Sequence, residues 1–276
     1  MNDWIRLLRP YNSVMSGIGV IIGAILVRYF SPYELTLGFI TGFFITGYAM
    51  VINDIMDLKI DQINRPERPL SSGRVSLRSA KSLALTMLAT GIVASFTLGI
   101  VELVIASLFA LLSFLYSWKL KRFGLIGNAS VATSMSIPFV FGSLIKPELN
   151  SLVISLALTA FFAGIGREII KGISDIEGDS KMGVRTVAVS MGSHAAAVVS
   201  SFFITLAIIT SYIPLFLNIK WWFPYGACIT VVDLLFIVEM RSIIKNNNGL
   251  NAYKVKVHIL FLMLAALIVY IVQGLI

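Results

Sequence analysis

The sequence predicts an all-α, polytopic membrane bundle of nine transmembrane helices with its N-terminus in the cytoplasm. Three observations predict it. The chain is 57% hydrophobic and only 13% charged. Apolar runs of roughly 17–25 residues recur along it, the length a helix needs to cross a hydrocarbon core. The basic residues fall almost entirely in alternate connections between those runs. A membrane β-barrel would instead show alternating segments of about 10 residues, and a spanning helix satisfies its own backbone polar groups.

In order, the runs cover about 13–30, 34–53, 81–99, 101–118, 128–145, 151–170, 194–216, 221–240 and 255–275, each near the length expected of one crossing. The first is preceded by Arg6 and Arg9 with no A-x-A-like site, so no cleavable signal is expected. The third and fourth are separated only by a tight turn near Gly99–Glu102. Gly19 with Gly23, and Gly38 with Gly42, have the i, i+4 spacing that permits close helix contact. Pro138 and Pro214 are expected to kink or end helices. Cys228, the single cysteine, reads as a small buried hydrophobe. No linker or low-complexity segment interrupts the chain, so residues 1–276 read as one domain.

Of the 22 Lys and Arg, all but Arg28, Lys146 and Lys220 lie on the side that also carries the N-terminus, which places that side in the cytoplasm. The odd span number then puts the C-terminus outside. The net charge of +8 fits both this bias and an anionic substrate drawn to the cytoplasmic face. The basic residues are dispersed among membrane loops, which argues against nucleic-acid binding.

Only 14 acids occur, and six of them crowd into two short stretches at the cytoplasmic ends of spans. The first stretch holds Asn53, Asp54, Asp57 and Asp61. On a continuous helix Asn53, Asp57 and Asp61 share one face, offering hard oxygen ligands to a cation. Arg65 and Arg68 follow between prolines, and planar guanidinium groups suit phosphate oxygens. The second stretch holds Asp175, Glu177 and Asp179, with Arg167, Lys171, Asp175 and Asp179 in one stripe at four-residue intervals. Three acids within five residues repel one another unless a cation neutralises them. The long connections at 54–80 and 171–193 each follow an acidic stretch, so that span, acids and basic loop recur four spans later as a weak internal repeat. Two carboxylate groups able to hold Mg²⁺ against a diphosphate point to a leaving diphosphate, an allylic substrate and a dry apolar tunnel for its tail.

These residues resemble the UbiA superfamily of intramembrane prenyltransferases. Asn53 to Asp61 follows its N-D-x-x-D-x-x-x-D pattern and Asp175 to Asp179 its D-x-x-x-D pattern, and the likeness covers essentially the whole chain. The runs Asn64-Arg65-Pro66-x-Arg68-Pro69, Tyr116-Ser117-x-Lys119-Leu120-Lys121-Arg122 and Arg167-Glu168-x-x-Lys171 are similar to the archaeal branch that prenylates geranylgeranylglyceryl phosphate. Chlorophyll and homogentisate enzymes share much of this. That branch often has Leu-Pro-Ser-Gly where this chain has Leu70-Ser71-Ser72-Gly73.

The resemblance implies transfer of a geranylgeranyl chain from its diphosphate to a lipid-like phosphorylated acceptor in ether-lipid synthesis. It implies Mg²⁺ as cofactor, with Asn53, Asp54, Asp57, Asp61, Asp175 and Asp179 as ligands and the five aspartates carrying catalysis. Arg65, Arg68, Tyr116, Lys119 and Lys121 are implied for the diphosphate, Lys171, Arg167 and Arg9 for the acceptor phosphate, and Asn12 for the pocket. Membrane lipid is the surrounding partner, and no obligate protein partner is evident. An aromatic-acceptor prenyltransferase and a cation-coupled transporter remain the alternatives. The CDP-alcohol phosphotransferase signature is missing. His194, His258 and Asp233 read as structural residues with hydrogen-bonding partners.

Overall fold

Each predicted apolar run folds as a helix, and short helices fill connections that the hydropathy pattern leaves open. The computed structural model describes residues 3–181, 183–217 and 219–276, with the backbone alone at Asn64. The α-helices are α1 (Asp3–Leu8), α2 (Pro10–Leu26), α3 (Pro32–Met56), α4 (Leu58–Asn64), α5 (Leu77–Leu98), α6 (Ile100–Trp118), α7 (Gly124–Leu144), α8 (Ser151–Ser174), α9 (Ile176–Lys181), α10 (Val187–Met191), α11 (Ser193–Ser211), α12 (Trp222–Lys245) and α13 (Gly249–Leu275). Two 3₁₀ turns, Leu120–Arg122 and Ile213–Leu217, complete the all-helical fold among the described residues.

Among the described residues, seven helical segments are long and apolar enough to cross a membrane: α3, α5, α6, α7, α8, Ser193–Leu217 and α13. The other two predicted runs form α2, which has only 17 residues, and α12, which carries Asp233, Glu239, Arg241 and Lys245. The chain is a multi-pass membrane protein.

Side-chain caps set several boundaries. Ser76 accepts from the Ser79 N–H at 3.1 Å, Asn150 from Val153 at 3.0 Å and Asn248 from Asn251 at 2.8 Å. Each satisfies one of the four unpaired donors at a helix start, worth about 1 kcal/mol. The turn between α5 and α6 is the single residue Gly99. Cys228 lies exposed on α12, a correction to the buried reading: an apolar run facing lipid on one side exposes small residues as readily as large ones.

The chain forms two compact units. The first contains Met1–Ala24, Tyr29–Leu120 and Pro138–Glu148. In it α3 packs along α5 and α6, around Val20, Ile45, Tyr48, Val51, Met87 and Phe141. Between apolar helices in lipid, association comes from close packing rather than from water exclusion, and the glycines supply it. A methyl group on Gly142 would overlap the Val20 carbonyl, and one on Gly23 would overlap that of Phe139. The connection after α4 is a tied structure. Leu70 and Val75 are buried, Val75 N–H donates to the Pro69 carbonyl at 3.0 Å, and Gly73 turns the chain at φ 76°. Ser71 and Ser72 thus fit an ordered turn without the family's proline.

The second unit contains Ile25–Arg28, Lys121–Ile137 and Leu149–Ile276. Its centre is α8, covered by α11 and α13, with α12 lying on α13. Polar groups inside it pair with one another, as hydrocarbon requires. Ser155 Oγ lies 2.6 Å from the Tyr270 hydroxyl, Tyr225 donates to the Ser211 carbonyl at 2.7 Å, and Ser211 donates to Asp233 at 2.8 Å. Asp233 therefore pairs with a neighbouring helix, as expected. The α7 helix runs through Pro138, the residue at which its two ends part between units.

Candidate active site

In the first unit, the last turn of α3 carries Asp54, which is only 5% exposed. The helix breaks at Asp57, whose backbone takes φ −91°, ψ 1°, and α4 resumes at Leu58. Hydrogen bonds bridge the break, from Asp57 N–H to the Asn53 carbonyl at 3.0 Å and from Asp61 N–H to the Asp57 carbonyl at 2.8 Å. Two turns separate Asp54 from Asp61, and both side chains meet the returning loop. One nitrogen of Arg68, Nη1, donates to Asp54 Oδ1 at 3.2 Å and to Asp61 Oδ2 at 2.6 Å. Arg9 Nη2 reaches the same Asp54 oxygen at 2.5 Å.

Asp54 and Asp61, seven residues apart, converge on one guanidinium. A seven-residue interval is nearly two full turns, which keeps the two side chains on one side of the helix.

Arg9 sits at the junction of α1 and α2 with φ 44°, in the left-handed region that non-glycine residues rarely occupy. Its guanidinium also lies 3.8 Å from the Met50 sulfur, which Asn12 Nδ2 approaches at 3.5 Å. Arg9 and Asn12 therefore join the Asp54 end of α3. Arg65 caps α4, its backbone N–H donating to the Asp61 carbonyl at 2.8 Å. Arg74 is held by Asp3 at 3.0 Å and by the Glu67 carbonyl at 2.7 Å, so its role is to tie the loop. Tyr116 lies in the last turn of α6, and Lys119 caps it.

The second unit repeats the device. Helix α8 ends at Asp175, with φ −109°, ψ 8°, and α9 follows. Asp179 N–H donates to the Asp175 carbonyl at 3.0 Å. Arg167 and Lys171 also hold Glu168, at 3.1 and 3.2 Å. The single Glu168 carboxylate thus compensates part of the positive charge that α8 carries here. The Nε of Arg167 is buried without a hydrogen-bond partner. Burial pushes the Asp179 carboxyl above the ordinary range, with Asp175 adding to the shift and Lys171 opposing it.

Lys121 lies in the Leu120–Arg122 turn, and the chain beyond it is pinned to the second motif's loop by Gly124 N–H donating to the Arg185 carbonyl at 3.0 Å. Lys256 of α13, read from sequence only as a topological charge, donates to Ser174 Oγ at 3.2 Å. Ser174 in turn lies 2.9 Å from Asp175 Oδ1. No spacing signal links residues 82 positions apart. Each histidine has a partner: His258 with Glu239 at 3.0 Å and His194 with Asn247 at 3.4 Å.

Among the described residues, no three His, Cys, Asp or Glu side chains surround a common point as in an all-protein metal cage. Mg²⁺ uses a different arrangement, one or two carboxylates completed by substrate phosphates and water. The Asp54 and Asp61 oxygens, already converging on one cationic nitrogen, fit that donor set.

Fold and site together define a multi-pass α-helical membrane protein with carboxylates and guanidinium groups gathered at helix ends. The UbiA prenyltransferase family matches residues 16–264, so the chain belongs to that family and is a prenyltransferase. It is 34% identical over 254 residues to the digeranylgeranylglyceryl phosphate synthase of Sulfurisphaera tokodaii, covering 91% of each chain. It is 32% identical over 268 residues to that of Methanosphaera stadtmanae, covering 97% of each. A solved structure of a digeranylgeranylglyceryl phosphate synthase in membranes superposes with a TM-score of 0.89 at 33% identity, over 99% of this chain and 98% of that one. The fold is shared, at 18% identity and a TM-score of 0.76, by a UbiA homolog from Archaeoglobus fulgidus bound to DMAPP and Mg²⁺, over 98% of this chain and 99% of that one. Family membership sets aside the transporter reading.

Proposed function

We propose that the chain transfers a geranylgeranyl group from geranylgeranyl diphosphate to the free hydroxyl of geranylgeranylglyceryl phosphate, giving digeranylgeranylglyceryl phosphate for archaeal ether lipids. The observation that carries the diphosphate chemistry is the convergence of Asp54 and Asp61 on the Arg68 guanidinium, beside Arg9. The acceptor assignment is supported by the relatives of Sulfurisphaera tokodaii and Methanosphaera stadtmanae, whose names state that product.

In this reading Asp54, Asp57 and Asp61, with Asn53, and Asp175 and Asp179 are the oxygen donors for Mg²⁺. Bound Mg²⁺ supplies neutralisation of the diphosphate as its bond to the prenyl carbon breaks. The electron pair of that bond leaves with the diphosphate. The acceptor hydroxyl oxygen then bonds to the allylic carbon and releases its proton. Arg65, Arg68, Tyr116, Lys119 and Lys121 orient the diphosphate by charge-assisted hydrogen bonds. Lys171 and Arg167 take the acceptor phosphate, and the apolar helices exclude water that would quench the allylic cation. Arg9 and Asn12 belong to the Asp54 end of the site.

Nine crossings with a cytoplasmic N-terminus and a cytoplasm-facing site complete the reading, supported by the distribution of Lys and Arg. The family match spans most of both units, which supports one catalytic domain. Incubation of the detergent-purified protein with labelled geranylgeranyl diphosphate and Mg²⁺ tests it. Transfer to geranylgeranylglyceryl phosphate, lost with EDTA, is expected. Transfer only to an aromatic acceptor such as homogentisate would move the enzyme to quinone-type synthesis.

A further inference from the structure

We infer that Arg68 and Arg9 act as built-in counter-ions that must be exchanged for metal, so that the divalent cation and the diphosphate bind cooperatively rather than independently. The inference rests on the proposed diphosphate chemistry and concerns the order and coupling of binding. Both N–H groups of a single Arg68 nitrogen are committed, one to each carboxylate, at 3.2 and 2.6 Å. Arg9 adds a second positive charge on the same Asp54 oxygen at 2.5 Å. Asp54 is 5% and Asp61 7% exposed, so water screens these pairs weakly.

A divalent cation reaching the two acids alone would lie against two guanidinium groups of like charge. It would also have to release at least one guanidinium from its carboxylates, and removing one partner of a buried ion pair leaves an uncompensated charge. A diphosphate removes both penalties. It offers the displaced Arg68 and Arg9 new oxygen acceptors in the fork geometry that guanidinium groups favour, and it supplies the remaining oxygen ligands that Mg²⁺ needs. Coupling of this kind is reciprocal: the factor by which the diphosphate raises metal affinity is the factor by which metal raises diphosphate affinity.

Arg68 is attached to a loop whose neighbours are fixed, with Leu70 and Val75 buried. The exchange therefore needs only a change of side-chain position, not refolding of the loop.

Equilibrium dialysis of the full chain in detergent, with radioactive Mn²⁺ as the probe and inorganic pyrophosphate as the diphosphate, tests the exchange without any turnover. The wild type should bind Mn²⁺ weakly alone and at least tenfold more tightly with pyrophosphate. Arg68→Gln should bind Mn²⁺ alone at least tenfold more tightly than the wild type, with the pyrophosphate effect reduced to threefold or less. Arg9→Gln should shift the same way by a smaller factor, and it carries the test if Arg68→Gln does not fold. Unchanged Mn²⁺ affinity in both arginine variants, with pyrophosphate-dependent binding still lost in Asp61→Asn, would overturn the exchange and leave the diphosphate site standing. Binding that is indifferent to Asp54→Asn and Asp61→Asn would overturn the site and the exchange together.

Discussion

Asp57 and Asp175 hold the same backbone conformation, φ −91°, ψ 1° and φ −109°, ψ 8°, each at the end of a long apolar helix and each followed by a short helix. In both places the aspartate four residues on donates its N–H to the carbonyl of the first, Asp61 at 2.8 Å and Asp179 at 3.0 Å. This bridge region of backbone space is sparsely used and recurs in functional residues. The weak sequence repeat is thus a repeated backbone device that turns acids out of a spanning helix at its end.

Asp57→Ala and Asp175→Ala should each abolish detectable prenyl transfer while leaving the protein monodisperse and fully helical by circular dichroism. The conformation at both positions suits Asn as well as Asp, so Asp57→Asn and Asp175→Asn should keep the melting temperature within about 2 °C, reflecting a surface-like change of about 0.5 kcal/mol. Mg²⁺-dependent activity retained in both alanine variants would remove the two-motif reading of the site.

The Lys256 contact gives a graded expectation. Lys256 donates to Ser174, which sits against Asp175. These groups are partly solvated, and pairs of that kind are worth about 0.2–1 kcal/mol. Lys256→Met should therefore lower kcat/KM by about two- to fivefold, with Ser174→Ala giving a similar loss and the double variant little more. Fully additive losses would show that the two side chains act independently.

The fold class was legible because apolar run length and charge bias depend only on local composition. Several residues show where that legibility ends. Helix α8 continues to Ser174 beyond the apolar run, with Arg167 and Lys171 sharing the Glu168 carboxylate, a pairing that a hydropathy window cannot count. The acids of the first motif were legible as a group. Their shared partner was not: it depends on the path of the Arg65–Val75 loop, which brings Arg68 back to Asp54 and Asp61. Lys256 and Tyr270 find their partners through tertiary packing alone.

Packing in the first unit predicts a severe steric effect. Substituents on Gly23 and Gly142 would overlap backbone carbonyls, of Phe139 and Val20, rather than movable side chains. Overpacking costs typically 1–3 kcal/mol where side chains can adjust, and backbone contact removes that adjustment. Gly142→Val should lower the apparent melting temperature in detergent by 5 °C or more. Gly178→Ala, where a Cβ meets nothing within 4 Å, should leave it unchanged. Equal tolerance at the two sites would refute the close helix approach.

The buried polar chain of the second unit makes a different prediction, because its members lose partners rather than space. Ser155 bonds both the Tyr270 hydroxyl at 2.6 Å and the Thr210 carbonyl at 2.6 Å, and Thr159 lies 3.0 Å from Thr210 Oγ1. Interhelical hydrogen bonds in membranes average about 0.6 kcal/mol by double-mutant cycle, since the unfolded chain in lipid also finds partners. Leaving one buried group unsatisfied costs more, about 1–3 kcal/mol. Tyr270→Phe should thus destabilise the protein by about 1 kcal/mol and Ser155→Ala by a similar amount. The pair should be less than additive, because removing both partners leaves fewer orphaned groups than removing either alone. Denaturation of the four variants in mixed micelles measures the coupling directly, and strict additivity would show that Ser155 and Tyr270 do not share a bond.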